Sequence, residues 1–247
     1  MRKIFLLMVI ISAVIFSACK KSTEELKTAS VKEYYPLLTG KYITYNLDST
    51  VTVNFGQQLV VNSYQVKLVV DALITDNLGR PAYRIIRHIR KTPANSWVPD
   101  NTFMAVATEF TVEFIENNHR FLKLKAPVRN GFSWKGNTYV DTYSLNSEVK
   151  YLDDWDYTYD SLDAKLTIGA FTLDSTLKVD QRDEIIGNPG DPNSYSERNI
   201  GVEKYAKGIG LIYRNFLHLE YQPPTPGKPG AYADGSYGVR MTMIDHN

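Results

Sequence analysis

The chain begins with one uninterrupted apolar block and then changes to short alternating runs. Residues 4–16, IFLLMVIISAVIF, follow Arg2 and Lys3, and the small residues Ser17 and Ala18 lead from the block to Cys19. A positive start, an apolar stretch and a small-residue junction make the layout of a secretory signal. The block falls short of the roughly 20 residues that a membrane-spanning helix needs. Residues 20–33 are polar and charged, offer little to bury, and read as a flexible tether.

From residue 34 onward the pattern has period two. Ile43, Tyr45 and Leu47 share one face of residues 41–47, and Val51, Val53 and Phe55 share one face of residues 51–55. Further strands are predicted at 64–75, 82–91, 103–115, 120–125, 156–160, 164–168, 171–179, 202–206, 211–221 and 239–244. Turn chemistry separates them at Asp76-Asn77-Leu78-Gly79, at Asn117-Asn118, at Gly169-Ala170 and at Lys207-Gly208-Ile209-Gly210. Residues 92–101, 187–194 and 222–238, rich in Pro, Gly and small polar residues, read as loops. Long helical periodicity and a fixed repeat are both missing. The pattern predicts an all-β fold in one antiparallel domain over residues 34–247, built as a barrel, half-barrel or sandwich.

Composition supports this class and narrows the partners. Seventeen Tyr, ten Phe and three Trp suit half-buried pleated surfaces. Loss of residues 1–18 removes Arg2 and Lys3 from the 28 basic residues and none of the 27 acidic ones, so the remaining chain is close to neutral. No basic footprint for nucleic acid is present. With a single cysteine, Cys19, the fold has no internal disulfide and no cysteine-based zinc cluster, and thiol catalysis in the domain is excluded.

Candidate chemistry is sparse. If residues 153–160 are extended, Asp154, Asp156 and Asp160 lie on one face and Trp155, Tyr157 and Tyr159 on the other. The acidic face is a weak candidate for a Ca²⁺ site, because hard oxygen ligands suit that ion, although the Gly and terminal Glu of an EF-hand loop are missing. The aromatic face is a candidate platform for a sugar ring or an apolar ligand. A solvated acidic face and a core aromatic face are the more economical readings of the two. Trp97 and Trp134 fall in loop-like segments, where they are candidates for ligand contact or for capping the core. His88, His119, His218 and His246 are scattered and make no HExxH or HxH pair. His218 shares a strand face with Phe216 and Glu220 and reads as a hydrogen-bonded structural histidine. No nucleophile elbow occurs, and Gly208-Ile209-Gly210 is a hairpin turn rather than a nucleotide loop. No catalytic residue and no cofactor are assigned.

Ile15-Phe16-Ser17-Ala18-Cys19 resembles the bacterial lipobox, in which the cysteine is acylated and becomes residue one, although Phe16 stands where Leu is usual. Tyr34-Tyr35-Pro36-Leu37-Leu38-Thr39-Gly40, Tyr205-Ala206-Lys207-Gly208-Ile209-Gly210-Leu211-Ile212-Tyr213 and Met243-Ile244-Asp245-His246-Asn247 resemble segments of uncharacterised outer-envelope lipoproteins of the Bacteroidota type. Val179-Asp180-Gln181-Arg182-Asp183 and Glu220-Tyr221-Gln222-Pro223 are similar to other parts of them. The resemblance implies a removed signal peptide over 1–18, a lipidated Cys19 with a tether to residue 33, and an outer-membrane address, with acyl chains of the palmitate kind. It implies no activity. Gly40-x-Tyr42 also resembles, distantly, the Gly-x-Trp of lipocalins, so a lipocalin-like or lipoprotein-carrier-like architecture is an expectation of fold alone. The functional expectation is a membrane-anchored, non-enzymatic binding or envelope-assembly module. Its partner is a protein, a glycan or an apolar ligand. The alternatives are a carrier of an apolar ligand in a barrel cavity and a glycan-directed hydrolase.

Overall fold

The computed structural model describes residues 28–247. The signal segment 1–18, Cys19 and residues 20–27 of the expected tether lie outside the described residues. Among those described, no helix is long and apolar enough to cross a membrane.

Thirteen strands follow a short 3-10 turn, Val31–Tyr34. They are β1 (Tyr42–Val53), β2 (Gln58–Thr75), β3 (Pro81–Arg90), β4 (Val98–Ala107), β5 (Thr111–Glu116), β6 (His119–Lys125), β7 (Ser133–Lys135), β8 (Asp156–Ile168), β9 (Phe171–Gly187), β10 (Ser196–Ala206), β11 (Gly210–Gln222), β12 (Ala231–Tyr232) and β13 (Tyr237–His246). Every named pairing is antiparallel. The spatial order is β6-β5-β4-β3-β2-β1-β13-β11-β10-β9-β8-β7, with β12 attached to β11. One up-and-down sheet therefore curls into a nearly closed barrel, the all-β architecture expected.

The two edges of the sheet, β6 and β7, meet at a seam with few bonds. The Leu122 N–H donates to the Gly136 carbonyl (2.8 Å). The Trp134 indole N–H donates to the Leu122 carbonyl (2.8 Å). The Tyr159 hydroxyl accepts from the Lys125 N–H and donates to the Lys125 carbonyl, both at 2.9 Å. Large side chains from β6 to β9 pack behind this seam, with Leu124, Trp134, Tyr157, Tyr159 and Val179 all buried.

Period two places the predicted core. Tyr45 and Leu47 are buried, as are Ile85, Phe103, Phe114, Tyr205 and Phe216. Several element boundaries differ from the sequence expectation: β2 begins at Gln58, β4 begins at Val98 inside the expected loop 92–101, residues 156–168 form one strand, and the exposed Phe55 lies in the β1–β2 turn. Residues 42–53 form one strand, because the polar stretch Asp48-Ser49-Thr50 is paired on both sides, to β2 and to β13. Residues 103–115 are two strands. The break at 108–110 carries no Gly, Pro or Asn; the Thr108 hydroxyl closes it by accepting from the Phe110 and Thr111 N–H groups. β9 runs on to Gly187 and is paired by residues 196–201, both segments too polar to register as strands.

The N-terminal segment closes one end of the barrel. Ser30 caps the 3-10 turn together with Glu33, and Val31 and Tyr34 are buried, so the last residues of the expected tether pack with the domain. The Tyr34 hydroxyl reaches Asp163 (3.1 Å), Lys207 pairs with Glu33 (2.7 Å), and the Gly208 N–H donates to the Glu33 carbonyl (2.7 Å). At the opposite end, residues 136–155 form a long strap between β7 and β8.

Candidate functional site

The barrel encloses a cavity of about 220 Å³. Tyr35, carried by the N-terminal plug, lies on its floor, with its ring 6.2 Å from Tyr205 and 6.4 Å from Phe114. Val149, Tyr151 and Leu152 of the strap form the roof. The wall runs from Phe103 and Phe114 through Phe216 to Tyr157. Arg87, Asn101 and the exposed Asn117 lie where the short β5–β6 hairpin leaves the wall low.

Inside this aromatic lining sits a charged network. Arg214 makes a two-pronged ion pair with Glu116, at 3.0 and 2.9 Å. Lys123 pairs with Glu203 at 2.7 Å, with side chains 6% and 1% exposed. The Tyr205 hydroxyl donates to the second Glu203 oxygen (2.6 Å), and the Arg214 Nε lies 3.8 Å from the first. The two pairs thus form one linked cluster without excess charge. Burial opposes ionisation of Glu116, yet the Arg214 guanidinium outweighs it, with help from Lys123, and holds its pKa at about 2. Burial and the Glu203 charge push the Tyr205 hydroxyl far above its ordinary value.

Two β-bulges aim polar side chains inward. Where β5 pairs with β6, Val112 opposes Leu124 and Glu113 opposes Leu122, so Lys123 is the extra residue. Where β10 pairs with β9, Gly201 opposes Arg182 and Val202 opposes Asp180, so Gln181 is the extra residue. A bulge bends its strand and redirects a side chain. Lys123 reaches Glu203 in this way. Gln181 is 5% exposed, lines the cavity, and its Nε2 has no hydrogen-bond partner. Gly201 makes room for it: a Cβ there would stand 2.8 Å from the Gln181 Cβ and 2.7 Å from the Trp155 ring.

The sequence candidates do not converge on this site. Trp155, Tyr157 and Tyr159 are all buried, and of these Tyr157 lines the cavity. The Tyr157 hydroxyl donates to the Asn137 side chain (3.0 Å), and the Asn137 Nδ2 donates to the Leu152 carbonyl (2.9 Å), which ties the strap to the wall. Trp134 is a buried seam residue. Trp97 lies apart, on the β3–β4 connection under the Arg90 guanidinium (4.2 Å). The side chains of Asp154, Asp156 and Asp160 are exposed and answered by cations, the first two by Lys135 and the third by Lys178. Among the described residues no group of three or more His, Cys, Asp or Glu side chains is placed to hold a metal ion.

His218 is buried and helps to carry the roof. Its ring stacks on Tyr151 at 3.7 Å between centroids. Asn199 Nδ2 donates to Glu184 (3.1 Å), which turns the Asn199 oxygen toward His218, so the His218 Nδ1–H is the donor across 2.7 Å. Burial lowers the pKa of His218 against the pull of Glu197, which keeps the ring neutral at pH 7.

Glu203, Arg214, Lys123 and Gln181 are absent from the sequence candidates. A signal for two of them exists in the predicted strands. In 202–206, the parity of Tyr205 carries Glu203 inward, and in 211–221 the parity of Phe216 carries Arg214 inward. Gln181 keeps the parity of the buried Leu177 and Val179 but lies past the predicted strand 171–179, and Lys123 is hidden because a bulge interrupts the alternation beside it. Comparison with protein-family models, with curated proteins and with solved structures finds no match for this chain.

Proposed function

We propose that the chain is an envelope lipoprotein, tethered to the outer membrane through acyl chains on Cys19, whose barrel lumen binds a small molecule without transforming it. The observation that carries the binding half is the lumen cavity of about 220 Å³, with aromatic walls and a fixed set of buried polar groups. A concave pocket that combines apolar walls with placed polar groups is the ordinary form of a ligand site. The anchoring half rests on the lone cysteine directly after the apolar block and its small residues. Two acyl chains are what stable anchoring takes.

The network speaks for binding rather than hydrolysis. A general acid at neutral pH needs a raised carboxyl pKa, whereas Glu116 is held at about 2 by Arg214. It also disfavours a long acyl ligand, which would lie against two buried ion pairs and gain nothing from them.

Two experiments separate the halves. Cells fed a clickable fatty acid should label the wild-type chain and leave Cys19→Ala dark; a labelled variant removes the anchor. The full mature chain carrying Cys19→Ala should take up toluene, seen as saturable shifts of lumen tyrosine signals by NMR. Unshifted signals at saturating toluene would remove the lumen reading.

A further inference from the structure

We infer that a second site, outside the lumen, takes the primary ammonium group of a small organic cation, held between the Glu197 and Glu220 carboxylates with one N–H donated to His218 Nε2. The site does not depend on the lumen reading.

It is an open pocket of about 670 Å³ at the strap end of the barrel. The strap lines it from Ser147 to Tyr151, the ends of β10 and β11 supply Glu197, His218 and Glu220, and the turn 233–235 closes the remaining side. Four carboxylates line it: Glu148, Glu197, Glu220 and Asp234. None of the four has an ion-pair partner among the described residues. The one cation in the lining, Lys150, donates to the Leu145 carbonyl instead (2.8 Å). The lumen differs in this respect, since its Glu116 and Glu203 are both paired.

Register sharpens the charge. Glu197 and Glu220 are directly opposite each other on β10 and β11, and Asn199 and His218 form the next pair on the same face. Like charges directly opposite destabilise a sheet. Neutral donors alone meet these two: Tyr195 and Asn199 donate to Glu197, and Gln222 donates to Glu220 (2.7 Å). A cation between the carboxylates removes the repulsion.

His218 adds an independent pointer to a ligand. It is 4% exposed, and its Nδ1–H is held by Asn199, so Nε2 carries a lone pair. That nitrogen has no hydrogen-bond partner among the described residues, yet it is not one of the sealed orphan atoms, which are His88 Nδ1, Trp155 Nε1, Gln181 Nε2 and His246 Nδ1. It therefore keeps access to solvent, and His218 lines this pocket. A metal ion needs several ligands converging at about 2.0–2.6 Å, and no three such side chains among the described residues are so placed. An ammonium carries three donors, one for each of Glu197, Glu220 and His218, and needs them only at hydrogen-bond distance, about 2.7–2.9 Å. The exposed Glu148 and Asp234 repel an attached carboxylate or phosphate, which selects a ligand that is cationic as a whole.

Nitrogen-15 NMR of the full mature chain carrying Cys19→Ala, near neutral pH and at low ionic strength, tests the assignment with butylammonium, tetramethylammonium, butanol and Zn²⁺. Butylammonium should move the His218 Nε2 signal saturably, in the direction of an unprotonated ring nitrogen that accepts a hydrogen bond. Tetramethylammonium, which has the charge and no N–H, should leave that signal in place. Butanol, which brings no charge to the carboxylates, should bind at least about tenfold more weakly than butylammonium. Glu220→Gln should weaken butylammonium about fivefold or more. Its urea midpoint should equal or exceed that of the parent, because one of two facing like charges is gone. A lower midpoint in Glu220→Gln makes the carboxylates structural and overturns the assignment. Tetramethylammonium moving the signal as butylammonium does overturns the role of His218. Butanol binding as tightly as butylammonium overturns the cationic class, and Zn²⁺ moving the signal where butylammonium does not replaces the organic cation with a metal. A signal that no probe moves overturns the site, whatever toluene does in the lumen.

Discussion

At the residue scale, the lumen depends on charges that stabilise only as pairs. Glu203 and Lys123 are nearly inaccessible to solvent, and each has lost its hydration in exchange for the other. Breaking a buried pair from one side leaves an uncompensated charge, at a cost of about 3–5 kcal/mol. Lys123→Met should therefore destabilise the fold by that amount in urea unfolding. Lys123→Met with Glu203→Gln should recover most of the loss, because replacing both partners can be close to neutral. A double variant no more stable than the single one would show that Lys123 acts by packing. Glu116 adds a pH dependence. Its folded pKa, about 2, lies below the ordinary 4.5, so its contribution is complete above pH 4.5 and disappears as the pH falls toward 2. The stability lost across that window is of the order of 3 kcal/mol. Glu116→Gln should be less stable at pH 7 and should show a shallower acid slope in urea titrations between pH 7 and 2. An unchanged slope would remove Glu116 from the acid response.

At the element scale, the strands divide into those held on both sides and those held on one. β1 is paired along its length with β2 and over most of it with β13, and β10 is flanked in the same way by β9 and β11. β6 has full ladder bonds only to β5, and the three-residue β7 only to β8. Local opening follows such differences, since elements with fewer backbone bonds open at lower free energy than the core. Amides of β6 and β7 should therefore exchange with deuterium at least tenfold faster than those at the centres of β1 and β10. Uniform protection around the barrel would show that side-chain packing at Trp134 and Tyr159 closes the seam as firmly as a ladder does. Strand content was legible along the chain because alternation survives wherever one face meets the core: Tyr45 and Leu47, or Tyr157 and Tyr159, are visible as periodic apolar positions. The break at Thr108 was not legible, because it is made by a hydroxyl and not by the usual turn residues. The strands over 180–186 and 196–201 were missed because the usual alternation is absent there: the buried positions include Gln181, Asn199 and Gly201, while Ile185 is exposed.

At the scale of the whole molecule, the sheet's ends and its lumen have different origins. The described chain begins at the end that the Val31–Tyr34 turn plugs, while the strap 136–155 and the β5–β6 turn belong to the opposite end. The cavity's low wall at Asn117 therefore lies at the end away from the plug. The sequence by itself determined the all-β class, the single antiparallel domain and most of the inward-facing apolar positions, because period two is a local property of a half-buried strand. The tertiary structure alone decided that the sheet curls into a nearly closed barrel, since closure depends on how β6 meets β7 and β8 across the seam. It also decided the site. Glu116, Lys123, Glu203 and Arg214 come from four strands and become one network only when the barrel brings them to the same lumen, where removal of water makes each charge depend on its partner.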